Sequence, residues 1–368
     1  MYQVLFRIPF IDVPIYGFGL MLFLAFIACT WLASKRAVRE GIHPDVIQDL
    51  ALWLFVGGLL GARTTYLLSE GRVSNLADFF MQLPRIWEGG IVLYGSFLGG
   101  LAAYLLAYVL IYRKRGLSTA RLVDVIAPSI TLGLVLGRFG CFLNGCCFGG
   151  VACAECPAVV AIGFPIAAPC RETLVASGTQ TVAGFTVVPD MTTQGCKVGL
   201  VEPGSAAHLA GLRPGSLIVA VNGEAIKRWS DINVHLGSLT NWPRGQNWLD
   251  LEFVPQPGAE PIQARLYPFT VGLYPTQFYE MISMGLLMLV LLAYEPLRRN
   301  PGQVCALLMI GYGLHRSLNE ILRDDPRPVG LEAYGSVLLI VSGVLLWLVL
   351  QLRPVAPPAT VETATPPA

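Results

Sequence analysis

The run Val123-Asp-Val-Ile-Ala-Pro-Ser-Ile-Thr-Leu-Gly-Leu-Val-Leu-Gly-Arg-Phe-Gly-Cys-Phe-Leu143 is apolar along its length except at Asp124 and Arg138. As a helix rising about 1.5 Å per residue, it reaches across a hydrocarbon core about 30 Å thick. Outward from it lie six more stretches of the same kind, at 15–33, 47–68, 92–112, 277–294, 302–322 and 333–352. The whole chain agrees with them. Of 368 residues, 54% are hydrophobic and 13% charged, whereas soluble chains carry about 25% charge. Such a chain lacks the polar surface to cover itself in water. Its 25 Lys and Arg nearly cancel 24 Asp and Glu, and a net charge of +1 excludes bulk electrostatic attraction to nucleic acid. The class is an integral membrane protein.

Basic residues gather in alternate short loops: Lys35, Arg36 and Arg39; Arg113, Lys114, Arg115 and Arg121; Arg298 and Arg299. The intervening loops hold fewer, with Arg72 and Arg85 in one and Arg323 and Arg327 in another. The positive-inside rule then puts the N-terminus outside and the C-terminus in the cytoplasm. No basic n-region or small-residue cleavage site precedes the first span, so it is expected to be retained. The long stretch 144–276 falls on the outer face, and the Pro/Ala/Thr-rich tail at 353–368 is expected to be disordered.

The outer stretch holds two kinds of sequence. Residues 146–196 are rich in Cys, Pro and small residues, with Cys146, Cys147, Cys153, Cys156, Cys170 and Cys196. In an oxidising compartment these suit disulfides of unreadable connectivity. Cys153-x-x-Cys156 is half of a zinc motif without its second half, so no metal is expected. Cys141, Cys146 and Cys147 at the membrane boundary read as small apolar packing residues with at most one disulfide, and Cys29 and Cys305, within spans, read as packing. From 196 to 267 the pattern turns to short alternating runs, 197–201, 217–221 and 248–254, with a turn signal at Asn222-Gly223. The segment Pro203-Gly-Ser-Ala-Ala-His-Leu-Ala-Gly-Leu212 and the following Gly215-Ser-Leu-Ile-Val-Ala-Val-Asn-Gly223 resemble a PDZ domain of the bacterial protease-associated type. Such domains add an extended peptide to a sheet edge. The resemblance implies either a peptide ligand or a plain spacer.

Charges inside spans are costly and mark function by default. Arg316, Glu320 and Arg323 follow at i, i+4 and i+7, one helical face, and Arg63, Tyr66 and Glu70 show similar spacing on the second span. A single Arg316–Glu320 pair reads as a structural salt bridge. Three arginine-bearing spans with too few carboxylates to neutralise them read instead as a pocket for a lipid phosphate, whose oxygens the guanidinium fork fits.

Four ordered segments carry a family resemblance: Trp87-Glu-Gly-Gly-Ile-Val-Leu-Tyr94-Gly95, Gly137-Arg138-Phe-Gly140 with Asn144-Gly145 and Gly149, Tyr274-Pro-Thr-Gln277-Phe-Tyr279-Glu280, and Gly311-Tyr312-Gly313 with Arg316, Glu320 and Arg323. Together they are similar to the bacterial prolipoprotein diacylglyceryl transferases over residues 10–352, apart from the PDZ-like insert. The resemblance implies an all-α polytopic inner-membrane enzyme of seven transmembrane helices, with an outer-face head and a small inserted PDZ-like α+β domain. It implies a division into 1–195 (helices one to four and the Cys-rich segment), 196–267 (the insert), 268–352 (helices five to seven) and 353–368 (the tail). Its partners would be phosphatidylglycerol and prolipoprotein lipobox peptides, with no cofactor. The lipobox thiol would take the diacylglyceryl group and glycerol phosphate would leave. Displacement at a glycerol carbon needs a thiolate and a stabilised phosphate oxyanion. The resemblance makes Arg316, Glu320 and Tyr94 catalytic. It makes Arg138, Asn144, Gly149 and Tyr312 the phosphatidylglycerol contacts, together with Arg316. Arg63, Tyr279, Glu280 and Arg323 become gate or supporting residues.

The chain also departs from the family pattern. Tyr94, Tyr16 and Tyr274 stand where the family has histidines, Phe18 where it has tyrosine, Cys141 where it has asparagine, and Cys146 where it has glutamate. A phenol with pKa about 10 is a poor base at neutral pH. Three accounts follow: Glu320 or the lipid phosphate takes the thiol proton; His315 does, though it points about 100° away from Arg316; or the chain is a non-catalytic lipid- or lipoprotein-binding scaffold that recruits partners through the insert. The surviving arginines and Glu320 favour the first.

Overall fold

The computed structural model describes residues 3–10, 12–69, 75–85, 92–153, 160–188, 195–237, 242, 245–324 and 331–354. Glu70, Arg72, residues 87–91 of the first family segment, Cys156, Arg327 and the tail from 355 onward lie outside the described residues, as does the side chain of Tyr94. The helices are, in chain order, α1 (Gly17–Arg39), α2 (Pro44–Ser69), α3 (Leu76–Gln82), α4 (Leu93–Ala107), α5 (Thr119–Asn144), α6 (Pro169–Ala176), α7 (Ala206–Leu209), α8 (Ile232–Leu236), α9 (Thr276–Tyr294), α10 (Gln303–Leu322) and α11 (Leu331–Leu352). Among the described residues six are long and apolar enough to cross a membrane: α1, α2, α4 with its π-helical extension to Tyr112, α5, α9 and α11. The chain is a multi-pass membrane protein. The expected span at 302–322 is a continuous helix, α10, but it is not among the six, since His315, Arg316, Asn319 and Glu320 make its second half polar.

The chain forms two compact units. Unit one comprises Met1–Leu24, Leu134–Gly285 and Gly313–Val337; unit two comprises Ala25–Gly133, Leu286–Tyr312 and Leu338–Ala368.

In unit two, α2 and α4 approach through glycine. A Cβ on Gly57 or Gly61 of α2, or on Gly95 or Gly99 of α4, would collide with the facing helix, mostly its backbone. This is the small-residue contact that lets membrane helices pack closely. Pro128 sits inside α5 and cannot donate to the carbonyl of Asp124. The Arg36 side chain takes that place: its Nη2 donates to Asp124 O at 3.0 Å and its Nε to Val125 O at 3.0 Å. Arg36 is fully buried and pairs through Nη1 with Glu295 at 2.8 Å. The Asp124 carboxylate, also fully buried, accepts from the amides of Gly302 at 2.7 Å and Cys305 at 2.8 Å. It thereby satisfies donors that the first turn of α10 leaves unpaired. The two buried charges therefore repair backbone: one mends a proline break, the other caps a helix.

In unit one, β1 (Val4–Arg7) and β2 (Pro14–Tyr16) form a hairpin. A second, antiparallel sheet follows with order β3 (Phe185–Val188), β4 (Cys196–Val201), β5 (Leu217–Val221), β7 (Leu249–Val254) and β8 (Ile262–Leu266), while β6 (Glu224–Ala225) pairs with β5. The period-two pattern shows in β7, which buries Leu249, Leu251 and Phe253 and leaves Asp250, Glu252 and Val254 partly exposed. Their buried face meets Ile218, Val221 and Leu266 in one core. Asn222 and Gly223, both at positive φ (50° and 82°), close the β5–β6 hairpin as a two-residue turn that suits Asn-Gly. Three strands fall where the alternating runs predict them, to within a residue. β3 lies upstream of that pattern and extends the sheet back to Phe185.

Replacing Asp124 with Ala strands two buried amide donors and removes the weaker of the two carboxylate contacts of Arg298, 3.4 Å away, leaving its pair with Glu40. The expected loss of stability is about 2–4 kcal/mol, read as a lower unfolding midpoint in detergent. Asp124→Asn keeps an acceptor and should lose less; equal loss in the two variants would place the effect elsewhere.

Candidate active site

The site of unit one is built on the C-terminal end of α5 and the turn after it. Gly145, at φ +76°, ends the helix in the left-handed conformation, and the amides of Gly145 and Cys146 both donate to Cys141 O, at 2.9 and 3.1 Å. This reversal brings Cys146 and Cys147 back over Cys141. Cys147 also has positive φ, +60°, which costs a non-glycine residue about 1–3 kcal/mol unless its surroundings enforce it. The start of α9 does so: Thr276 Oγ1 donates to Cys147 O at 2.8 Å and Gln277 Nε2 to Cys146 O at 2.7 Å. Beyond the turn, Gly149 N donates to Tyr274 O and Tyr274 N to Gly150 O, each at 3.0 Å. A Cβ on Gly149 would stand 2.8 Å from Tyr274 O and 2.9 Å from Leu322 O. Glycine is required there to let three backbone segments meet.

Glu280 lies one turn along α9 from Gln277 and is 1% exposed. Arg138 Nε pairs with its Oε2, Arg323 Nη1 lies 3.7 Å from Oε1, and His315 Nε2 lies 4.0 Å from Oε2. Ser283, a further turn along α9, meets His315 Nδ1 at 2.8 Å. Beside this cluster on α10, Arg316 and Glu320 form an i, i+4 pair at 3.4 Å, with Glu320 38% exposed. Arg323 thus groups with His315 and Asn319 at i, i+4, i+8 spacing and with Glu280, not with Arg316 and Glu320. Among the described residues, three buried polar atoms here lack a hydrogen-bond partner: Gln277 Oε1, Glu280 Oε1 and Asn319 Nδ2. Such atoms are costly unless a bound polar group satisfies them.

The Cys147 thiol is held well below its ordinary value, first by the thiols of Cys141 and Cys146, which donate to it, and then by the positive charges of Arg323 and Arg138. Burial instead pushes the nearby Cys170 thiol up to about 12. Cys153 is disulfide-bonded, whereas Cys170 and Cys196 are free and buried. Asn144, the last residue of α5, lines a cavity of about 470 Å³ with Gln3, Tyr16, Phe18, Glu172 and Trp242.

Of the residues singled out in the sequence, the structure brings Arg138, Glu280 and Arg323 together and keeps Arg316 with Glu320. Tyr279 contributes its carbonyl, which accepts from Ser283 Oγ at 2.8 Å. Arg63, Tyr94 and Tyr312 belong to unit two. There Arg63 is 2% exposed, donates to Gln82 O at 3.3 Å and lies over the Tyr66 ring, while Tyr312 packs against Leu308 and its neighbours. Sequence reasoning gave Gln277 and Asn319 no role and set His315 apart because it points away from Arg316. The usable signal was the i, i+3 spacing of Gln277, Glu280 and Ser283, which fixes the face of α9 that His315 meets.

Comparison with known proteins follows the same residues. The family model described as prolipoprotein diacylglyceryl transferase matches residues 3–349. The chain is similar to proteins called phosphatidylglycerol–prolipoprotein diacylglyceryl transferase. With that of Rhodopirellula baltica it shares 36% identity over 216 residues, covering 56% of this chain and 42% of the relative. With that of Chromohalobacter salexigens it shares 38% over 130 residues (35% and 47%), and with that of Synechococcus elongatus 37% over 132 residues (36% and 44%). The chain therefore spans less than half the length of each of these relatives in the matched region.

Removing the Glu280 carboxylate leaves two guanidinium groups buried without their anion. Glu280→Ala is expected to cost about 3–5 kcal/mol of stability, whereas Glu320→Ala, in a more exposed pair, should cost about 1 kcal/mol or less. Unfolding midpoints in detergent compare the two, and similar losses would contradict the assignment of Glu280 as the buried hub.

Proposed function

Because the chain belongs to the prolipoprotein diacylglyceryl transferase family, we propose that it transfers the diacylglyceryl group of phosphatidylglycerol to the lipobox cysteine of a prolipoprotein. The thiolate sulfur attacks the glycerol carbon, the bond from that carbon to the phosphate oxygen breaks, and glycerol phosphate leaves with the electron pair. The single observation that supports this most is the convergence of Arg138 and Arg323 on the buried Glu280, with the Arg316–Glu320 pair beside them on α10. The three orphaned polar atoms of the cluster suit the phosphodiester oxygens and the glycerol hydroxyls.

In this reading Arg316 and Arg138 bind the phosphate oxygens and stabilise the departing oxyanion. Glu280 fixes the Arg138 fork, and Arg323 supports Glu280 from the other side. Glu320, the more exposed carboxylate, takes the thiol proton as the peptide arrives. Asn144 offers the cavity beside it for the substrate, Gly149 keeps the turn tight, and Tyr279 supports Ser283 through its carbonyl. We place α10 in the bilayer as a seventh span, with the N-terminus outside and the C-terminus cytoplasmic in a bacterial inner membrane. The sheet of residues 185–266 is then an outer-face insert of PDZ type that recruits an extended peptide.

The test is a reconstituted assay with purified protein, phosphatidylglycerol vesicles and a synthetic lipobox peptide, read by peptide mass and glycerol phosphate release. A diacylglyceryl mass shift is expected, reduced about 100- to 1,000-fold in Arg138→Ala and by a comparable factor in Glu320→Gln. Normal turnover in Arg138→Ala would overturn the site. A protein that binds the vesicles and never shifts the peptide would be a lipid-binding scaffold.

A further inference from the structure

The transferase reading leaves the thiol cluster unused. Cys141 closes the last turn of α5, and the reversal at Gly145 sets Cys146 and Cys147 against it. The three Sγ atoms all lie within 4.8 Å of one another, and Cys141 and Cys147 are 3.9 Å apart. Thiolates bound to zinc at about 2.3 Å stand roughly 3.8 Å apart in a tetrahedral shell, so sub-ångström side-chain movements suffice to close on an ion. All three are free thiols and none is fully buried.

The surroundings are those of a prepared site. Cys147 is held in the left-handed conformation, and its carbonyl and that of Cys146 are tied down by Thr276 and Gln277, both fully buried. Simple packing does not call for that strain, since a glycine at 147 would relieve it.

We propose that Cys141, Cys146 and Cys147 form a trithiolate site for a soft d10 cation, copper(I) or zinc(II). Copper(I) is content with three thiolates. Zinc(II) takes a fourth ligand, such as a water. Binding releases the thiol protons to solvent. The proposal departs from the sequence expectation that these residues only pack. The site does not depend on lipid transfer, so either proposal can fail without the other.

The full-length protein in detergent, reduced and handled without oxygen, is incubated with zinc(II) alone or copper(I) alone, desalted, and its metal content measured. About one equivalent is expected with at least one of the two ions. Cobalt(II) should give the intense thiolate charge-transfer absorption of a sulfur-rich site. Cys141→Ser and Cys147→Ser should lose the metal, while Cys305→Ser, in unit two, should keep it. A measurement on the unaltered chain covers the event that a variant fails to fold: loading should protect Cys141, Cys146 and Cys147 from alkylation, mapped by mass spectrometry. Substoichiometric metal with both ions overturns the proposal. So does equal loss in Cys305→Ser, alkylation unaffected by metal, or a native disulfide within the trio that persists on mild reduction. The preferred ion is the one that survives desalting at one equivalent.

Discussion

The polar centre of unit one depends on a single carboxylate. Glu280 is buried where a lone anion would be too costly to ionise, and it is tolerated there because Arg138 pairs with one oxygen and Arg323 approaches the other. The dependence is mutual. Two guanidinium groups so close would repel one another without the carboxylate between them, and each would then swing toward whatever anion it could find. Glu280 therefore fixes both the position and the direction of the forks. Beside it, Arg316 pairs with Glu320 on the neighbouring face of α10. An anion entering this region meets a geometry already assembled.

That geometry rests in turn on backbone. The reversal at Gly145, the strained Cys147 and the close approach at Gly149 allow the end of α5, the segment before α9 and the end of α10 to share hydrogen bonds. Thr276 and Gln277 direct side chains at carbonyls, so the first turn of α9 is locked to the cysteine turn before Glu280 is reached. Unit two uses the same device for a different purpose. Asp124 and Arg36 are fully buried charges, and both are engaged with main chain that a proline and a helix start have left open. Charges inside apolar helices need not all be catalytic; some satisfy backbone that nothing else can reach.

The same distinction limits how much of the molecule is legible in its sequence. Apolar runs are set by composition, so the long helices stand out in the residue pattern alone, and the alternating pattern locates β4, β5 and β7. The seventh stretch is harder, because a helix that carries a polar cluster loses the hydropathy that identifies a span. Arg138, Arg316, Glu320 and Arg323 can be chosen from the cost of charge in lipid alone. Their pairing cannot. Helical periodicity puts Arg316, Glu320 and Arg323 on one face, but which of them meets α9 depends on how α10 is rotated against it. That rotation is a tertiary property. The angular argument that sets His315 aside is sound relative to Arg316 and silent about Glu280.

The tyrosines at positions where the family resemblance leads one to expect histidine pose the sharper chemical question, and His315 bears on it. A phenol does not take a proton from a thiol near neutral pH, so Tyr94, Tyr16 and Tyr274 can serve as hydrogen-bond partners but not as bases. Ser283 has one hydroxyl proton, and the carbonyls of Tyr279 and Glu280, at 2.8 and 3.1 Å, compete to accept it. Its oxygen is then left to accept from His315 Nδ1. With Nδ1 carrying a proton, Nε2 becomes the ring nitrogen that gains or loses one, and it faces Glu280 at 4.0 Å. The chain thus keeps an imidazole against its buried carboxylate, on α10 and not at the start of α4.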